Sequence, residues 1–216
     1  MLGNLNLMEI LIRVPITLLA LSVHELAHGW VSYKLGDPTP KNQGRLTLNP
    51  FAHLDLIGTL LMIFTRFGWA KPVQINPMYY RDRVKGMAIT AAAGPISNFI
   101  LAFLGMFIGS ILMLVFGYNI EAVAWIKFIT EIFVLQNLCF MIFNFIPFPP
   151  LDGFKIFGMF MPRSTYYKIL QYEQYIMYLL MLLCLTGAFS NIIGIGVNFF
   201  YRIIQIVVGF IVGLFI

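Results

Sequence analysis

A chain of 216 residues that is 60% hydrophobic and only 11% charged, with a mean hydropathy of +0.85, is excluded from the class of ordinary soluble domains. Its length accommodates about five or six spanning helices of roughly 20 residues each, leaving little for a soluble module. The formal charge of +5 comes largely from Lys and Arg in segments 34–45 and 66–85, which is the pattern of cytoplasmic loops and not of a nucleic-acid surface.

Taken in chain order, residues 8–33 read as the first span, entered with the N-terminus outside because the first dense basic loop follows it. Glu9 and Arg13 inside this apolar run argue against a cleaved signal peptide. Gly36, Asp37, Pro38 and Pro40 end the helix, and the alternation Leu46-Thr47-Leu48 predicts a short strand or β-hairpin beside it. Residues 54–67 are apolar, too short for a comfortable span and flanked by basic loops, which predicts a half-spanning or re-entrant segment.

Residues 84–117 and 122–146 are predicted to cross fully. The first of them carries Ala91-Ala92-Ala93-Gly94-Pro95 followed by Ser97 and Asn98, small and polar residues suited to close helix packing. The second runs into Asn144 and stops at Pro147, Pro149 and Pro150, just before Leu151-Asp152-Gly153. Residues 154–172 mix Lys155, Arg163 and Lys168 with aromatics, as an interfacial helix does, and 175–189 and 199–216 are predicted as two further spans. Cys139 and Cys184 lie singly in apolar runs and read as packing residues. The expected fold class is an all-α polytopic membrane protein with about five transmembrane helices, a half-spanning segment and a short β-hairpin near the active site. It is expected to form one domain over 1–216, with a catalytic core over about 8–153 and C-terminal helices over about 154–216.

The chemistry gathers in His24-Glu25-Leu26-Ala27-His28. Two imidazoles four positions apart share one helical face and can grip one metal ion, while Glu25 projects beside them. This is the HExxH spacing, and ionisable groups inside an apolar span are a functional signal in their own right. A catalytic zinc takes three protein ligands and keeps a position for water. For the third, the chain offers His53 or an acid, and Asp152 is favoured because it follows a helix-breaking turn deep in apolar sequence, beside the permissive Gly153. His53 otherwise reads as an interfacial or capping histidine.

HELAHGW, AGPISN and NFIPFPPLDG, in that order, resemble the site-2 protease family of intramembrane zinc metalloproteases, in the short bacterial-type form without a PDZ or CBS module. The resemblance implies that His24, His28 and Asp152 bind one Zn2+ per chain, that Glu25 is the catalytic base, and that Asn98 and Asn144 handle substrate or the transition state. It also implies a zinc endopeptidase of a bacterial-type cell membrane, acting toward the cytoplasmic side on single-span proteins within the lipid bilayer, without nucleic acid. The alternatives are a membrane metal-binding or transport protein built on the same His/His/Asp site, and a catalytically dead relative that only binds helices. No feature of the pattern sets an oligomeric state.

Overall fold

The computed structural model describes residues 7–55, 58 and 71–214. Helix α1, Leu7–Lys34, is 28 residues long and so about 42 Å in extent. Its basic last residue, Lys34, suits the negative end of the helix dipole. Gly36, at φ 105°, makes the left-handed turn that ends it. A single turn of helix, α2 (Thr39–Asn42), follows with Pro40 in its first positions. Short 3-10 turns at Pro50–Ala52 and Pro77–Tyr79 flank the next segment. Among the described residues no strand forms, and Arg45–Leu48, where the hairpin is predicted, is irregular backbone with a buried Arg45. The segment predicted to half-span, 54–67, lies almost wholly outside the described residues.

Helix α3, Arg83–Val115, begins at Asp82, whose side chain accepts from the amides of Val84 and Lys85. A four-residue turn leads to α4, Ile120–Phe145, capped by Asn119 on the amide of Ala122. The pair packs closely because Gly105 and Gly109 of α3 lie against Phe133 and Thr130 of α4, where a Cβ would collide. The Pro-rich stop leads into α5 (Asp152–Gly158), α6 (Arg163–Leu170), α7 (Glu173–Thr186) and α8 (Ser190–Gly213). The interfacial region predicted over 154–172 is thus two short helices.

Among the described residues four helices, α1, α3, α4 and α8, are long and apolar enough to cross a membrane. The expected count of about five differs because the run predicted as the fourth span becomes α7, only 14 residues long and ended by Gly187 at φ 74°. Fourteen residues extend about 21 Å, short of a hydrocarbon core of about 30 Å. Helix α8 instead begins at Ser190, earlier than residue 199.

The apolar core is a seam between α3, α4 and α8, built from Ala102, Met106, Val134, Leu138, Met141, Val197, Ile204 and Val208. Gly196 lies beside Ile142, while Tyr201 and Gln205 share a cavity with Lys127, so α8 runs antiparallel to α4 and parallel to α3. Helix α1 lies against α3 with His28 beside Thr90 and His24 beside Asn98, an antiparallel register that fixes the depth of the site.

Candidate metal centre and active site

His24 and His28 stand one turn apart on α1, and their Nε2 atoms are 3.0 Å from each other. The Oδ2 atom of Asp152 lies 3.1 Å from His24 Nε2 and 3.0 Å from His28 Nε2. All three residues are buried, at 4%, 6% and 7% exposure. The remaining atoms of each side chain are held from behind. His24 Nδ1 donates to Asn98 Oδ1 at 2.6 Å, and His28 Nδ1 donates to the Thr90 carbonyl at 2.7 Å.

The Asn98 amide is oriented by its own donors, since Nδ2 gives hydrogen bonds to the Ala20 carbonyl and to Asn137 Oδ1. With both Nδ1 positions protonated, both Nε2 atoms carry lone pairs toward the same point. Two bare nitrogens and a carboxylate oxygen therefore converge with no donor between them, an arrangement that a cation resolves. Their separations of 3.0–3.1 Å are close to the edge of about 3.3 Å expected for ligands about 2.0 Å from a tetrahedral zinc. The donor set fits zinc.

Local sequence explains how these groups meet. Gly94 of α3 faces both imidazoles, and a Cβ there would collide with both Nε2 atoms. Pro95 leaves the Ala91 carbonyl without its helical donor and disturbs the preceding turn, next to the Thr90 carbonyl that receives His28. Asp152 is the first residue of α5, and Gly153 lets that helix press against the Phe145 and Ile146 carbonyls at the end of α4. Lys155 Nζ lies 3.4 Å from Asp152 Oδ1, the oxygen not used in the cluster.

Glu25 is half-buried beside the pair, and its Oε2 accepts from the Val73 amide at 2.8 Å. Val73 belongs to a non-helical stretch tied down at both ends. Lys71 donates its amide to the His53 carbonyl at 2.8 Å, and Asn76 donates its amide to Asp37 Oδ2 at 2.7 Å.

Asp37 heads a buried polar chain that reaches the metal-facing helix pair. Ser32 Oγ donates to Asp37 Oδ2 at 2.9 Å, Ser32 Oγ meets Tyr80 OH at 2.7 Å, and Tyr80 OH meets Thr90 Oγ1 at 3.1 Å. Thr90 thus holds Tyr80 by its hydroxyl and His28 by its carbonyl. Burial pushes the Asp37 carboxyl up, but hydrogen bonds from Thr39, the Asn76 amide and Ser32 outweigh it and hold the group below the usual carboxylate range.

Of the residues singled out from sequence, His24, His28 and Asp152 come together, with Glu25 and Asn98 beside them. Asn98 touches His24 and not an open face. Asn144 donates to the Phe140 carbonyl of its own helix, and among the described residues no hydrogen bond joins it to the cluster. His53 is buried away from the cluster, where its Nε2 donates to the Thr47 carbonyl at 2.9 Å and helps close the loop that Arg45 also ties through the Ala52 carbonyl. Thr90, the Asp37 chain and the Val73 amide are not marked in the sequence, because their partners are 10 to 62 positions apart. Lys155 is an exception, since its i+3 spacing from Asp152 on a helix is a usable signal.

Residues 14–187 match the model of Peptidase family M50, the site-2 protease family. The chain belongs to this family. It is 41% identical over 177 residues to YwhC of Bacillus subtilis (strain 168), which is named as a zinc metalloprotease, covering 79% of this chain and 78% of that one. It is 28% identical over 180 residues to Rip2 of Mycolicibacterium smegmatis, also named as a zinc metalloprotease, covering 81% of this chain and 66% of the relative. No solved structure matches the chain. Membership in family M50, the relatives' names and the His24-His28-Asp152 group together make this member a zinc metalloprotease and an integral membrane protein.

Proposed function

We propose that the chain acts as a single intramembrane endopeptidase domain that cleaves single-span proteins within the bilayer. The observation that carries this reading is the place of the donor cluster. His24 lies on a span candidate, ten residues or about 15 Å before its Lys34 end, buried among α1, α3 and α5. In this reading His24 Nε2, His28 Nε2 and Asp152 Oδ2 hold the zinc. When bound, zinc lowers the pKa of a bound water toward about 7 and polarises the scissile carbonyl. Asn98 and Thr90 keep the two imidazoles in the tautomer that presents Nε2, and Lys155 takes Asp152 Oδ1 so that Oδ2 is the oxygen presented.

Glu25 receives the water proton and returns it to the leaving amine, as a general base and then acid. The Val73 amide occupies Oε2, which leaves Oε1 for that proton. Asn98, already engaged with His24, serves the site by orientation and not as an oxyanion donor, while Asn144 contributes to helix packing. A substrate helix hides its amides in i to i−4 hydrogen bonds, so its scissile stretch must unwind before cleavage. The basic loops at the Lys34 end of α1 and the Arg83 end of α3 support a site that faces the cytoplasm.

Comparison of membrane proteomes from cells carrying active protein or Glu25→Gln tests the substrate class. A single-span protein is expected to accumulate in the variant, with wild-type product termini inside its apolar stretch. Termini confined to soluble loops, or identical proteomes, would overturn the intramembrane reading.

A further inference from the structure

The half of the bundle remote from the metal centre holds two charged side chains, Glu131 and Arg202, that no hydrogen bond or ion pair meets among the described residues. Between α3, α4 and α8 lies a cavity of about 430 Å³, with Ser110, Lys127, Thr130, Glu131, Tyr201 and Gln205 in its wall. Glu131 is eleven positions from Ile120 at the remote end of α4, and Arg202 is eleven positions from Gly213 at the remote end of α8. At about 1.5 Å per residue, both sit about 16 Å below those ends, near the middle of a hydrocarbon core about 30 Å thick. Among the described residues neither side chain has a hydrogen-bond or ion-pair partner.

Arg202 is exposed, and Asn198 and Gln205, exposed as well, lie one turn to either side of it on the same helical face. Gly209 and Gly194 continue along α8, and an added Cβ at either would meet nothing. Charged groups at this depth face a bundle interior, a wet cavity or a partner, and polar groups with small residues are what brings transmembrane helices together. Lys127, one turn nearer the remote interface, can extend its ammonium toward water.

We propose that this face receives a second copy of the chain, related by a two-fold axis along the membrane normal, with Glu131 of each copy pairing with Arg202 of the other. Such an axis preserves depth, and the acid and the base stand at the same depth. An isologous contact also requires a patch complementary to itself, and at the depth of the contact this patch carries the acid Glu131 on α4 and the base Arg202 on α8, with Lys127 one turn nearer the interface. A face of one sign could not pair this way. Both metal centres then open toward the same membrane surface, on the opposite half of the bundle from the contact.

The experiment is energy transfer between donor- and acceptor-labelled full-length chains in liposomes, measured as lipid dilutes the protein. Wild-type transfer is expected to exceed random collision and to fall on dilution. Glu131→Arg and Arg202→Glu are each expected to move the dilution midpoint by about tenfold or more toward higher protein density. Mixing the two variants is expected to restore transfer, because each supplies the charge that the other has lost, and the double exchange in one chain is expected to self-associate. Circular dichroism and zinc content establish that each variant is folded. Glu131→Gln and Arg202→Gln, expected to weaken association to a lesser degree, replace a reversal that does not fold. Collision-level transfer in the wild type, wild-type association in the single variants, or recovery in the double exchange without recovery in the mixture would overturn the proposal. The last result would place the ion pair within one copy. No arm of the experiment reads proteolysis, so its outcome is separate from the proposed cleavage.

Discussion

A buried polar side chain is costly unless every donor and acceptor is met, and this chain meets its own mostly by using one residue twice. Thr90 is the clearest case. Its carbonyl orients His28 while its hydroxyl closes the chain through Tyr80 and Ser32 to Asp37. Tyr80→Phe removes the shared hydroxyl and leaves Ser32 and Thr90 short of a partner. A loss of about 1–3 kcal/mol is expected in thermal unfolding in detergent, with zinc affinity weakened by about tenfold or more as Thr90 loosens its grip on His28. Unchanged zinc affinity would mean that the hydroxyl chain does not reach the metal site.

Asp37 adds a pH dependence whose sign is fixed by its lowered folded pKa. Its contribution is fully present above the ordinary carboxylate value of about 3.9, and is lost as pH falls through the lower folded value. Melting curves of wild type and Asp37→Asn should therefore lie apart at neutral pH and converge in acid. A gap that persists at the acid end would assign the effect to packing. The HExxH pair was legible because its spacing is local and its setting apolar. Asp37 was legible only as a turn residue, since its acceptor role depends on Asn76, which is 39 positions away.

At the scale of elements, two glycines decide whether helices can deliver their ligands. Gly94 gives α3 room against the α1 imidazoles, and Gly153 gives α5 room against the end of α4. Gly94→Ala is expected to reduce bound zinc well below one ion per chain by metal analysis, because the new methyl enters the space shared by both Nε2 atoms. Gly153→Ala is expected to cost about 1–3 kcal/mol by overpacking and to displace Asp152, lowering zinc occupancy without touching either histidine. The sequence offered Gly94 as a packing residue, and the structure makes the neighbour it packs against the metal-facing pair. The helix count was less legible, since hydropathy over 175–189 does not report that Gly187 stops the helix there. A run of that length is more often a short or interfacial helix than a span. The predicted hairpin is absent from the described residues for a related reason. Alternation over three residues is too short to outweigh a loop stitched by Arg45, His53 and Asn49.

At the scale of the molecule, the antiparallel registers of the four span candidates among the described residues put the Phe116–Asn119 turn and the end of α8 at one end of the bundle and the 34–45 loop at the other. Impermeant maleimide, applied to a chain with Cys139 and Cys184 replaced by Ser, should label Tyr118→Cys from the outside of intact cells and Gln43→Cys only after lysis. Labelling of both from one side would contradict the four-crossing arrangement. In the proposed mechanism a buried His/His/Asp centre holds zinc for peptide hydrolysis with Glu25 as the base. The most direct measurement is paired zinc analysis and cleavage of a single-span substrate by wild type and Glu25→Gln in liposomes. The expected result is equal zinc in both and a loss of about 10²–10⁴-fold in the cleavage rate of the variant. Cleavage that survives in Glu25→Gln with zinc in place would contradict the claim.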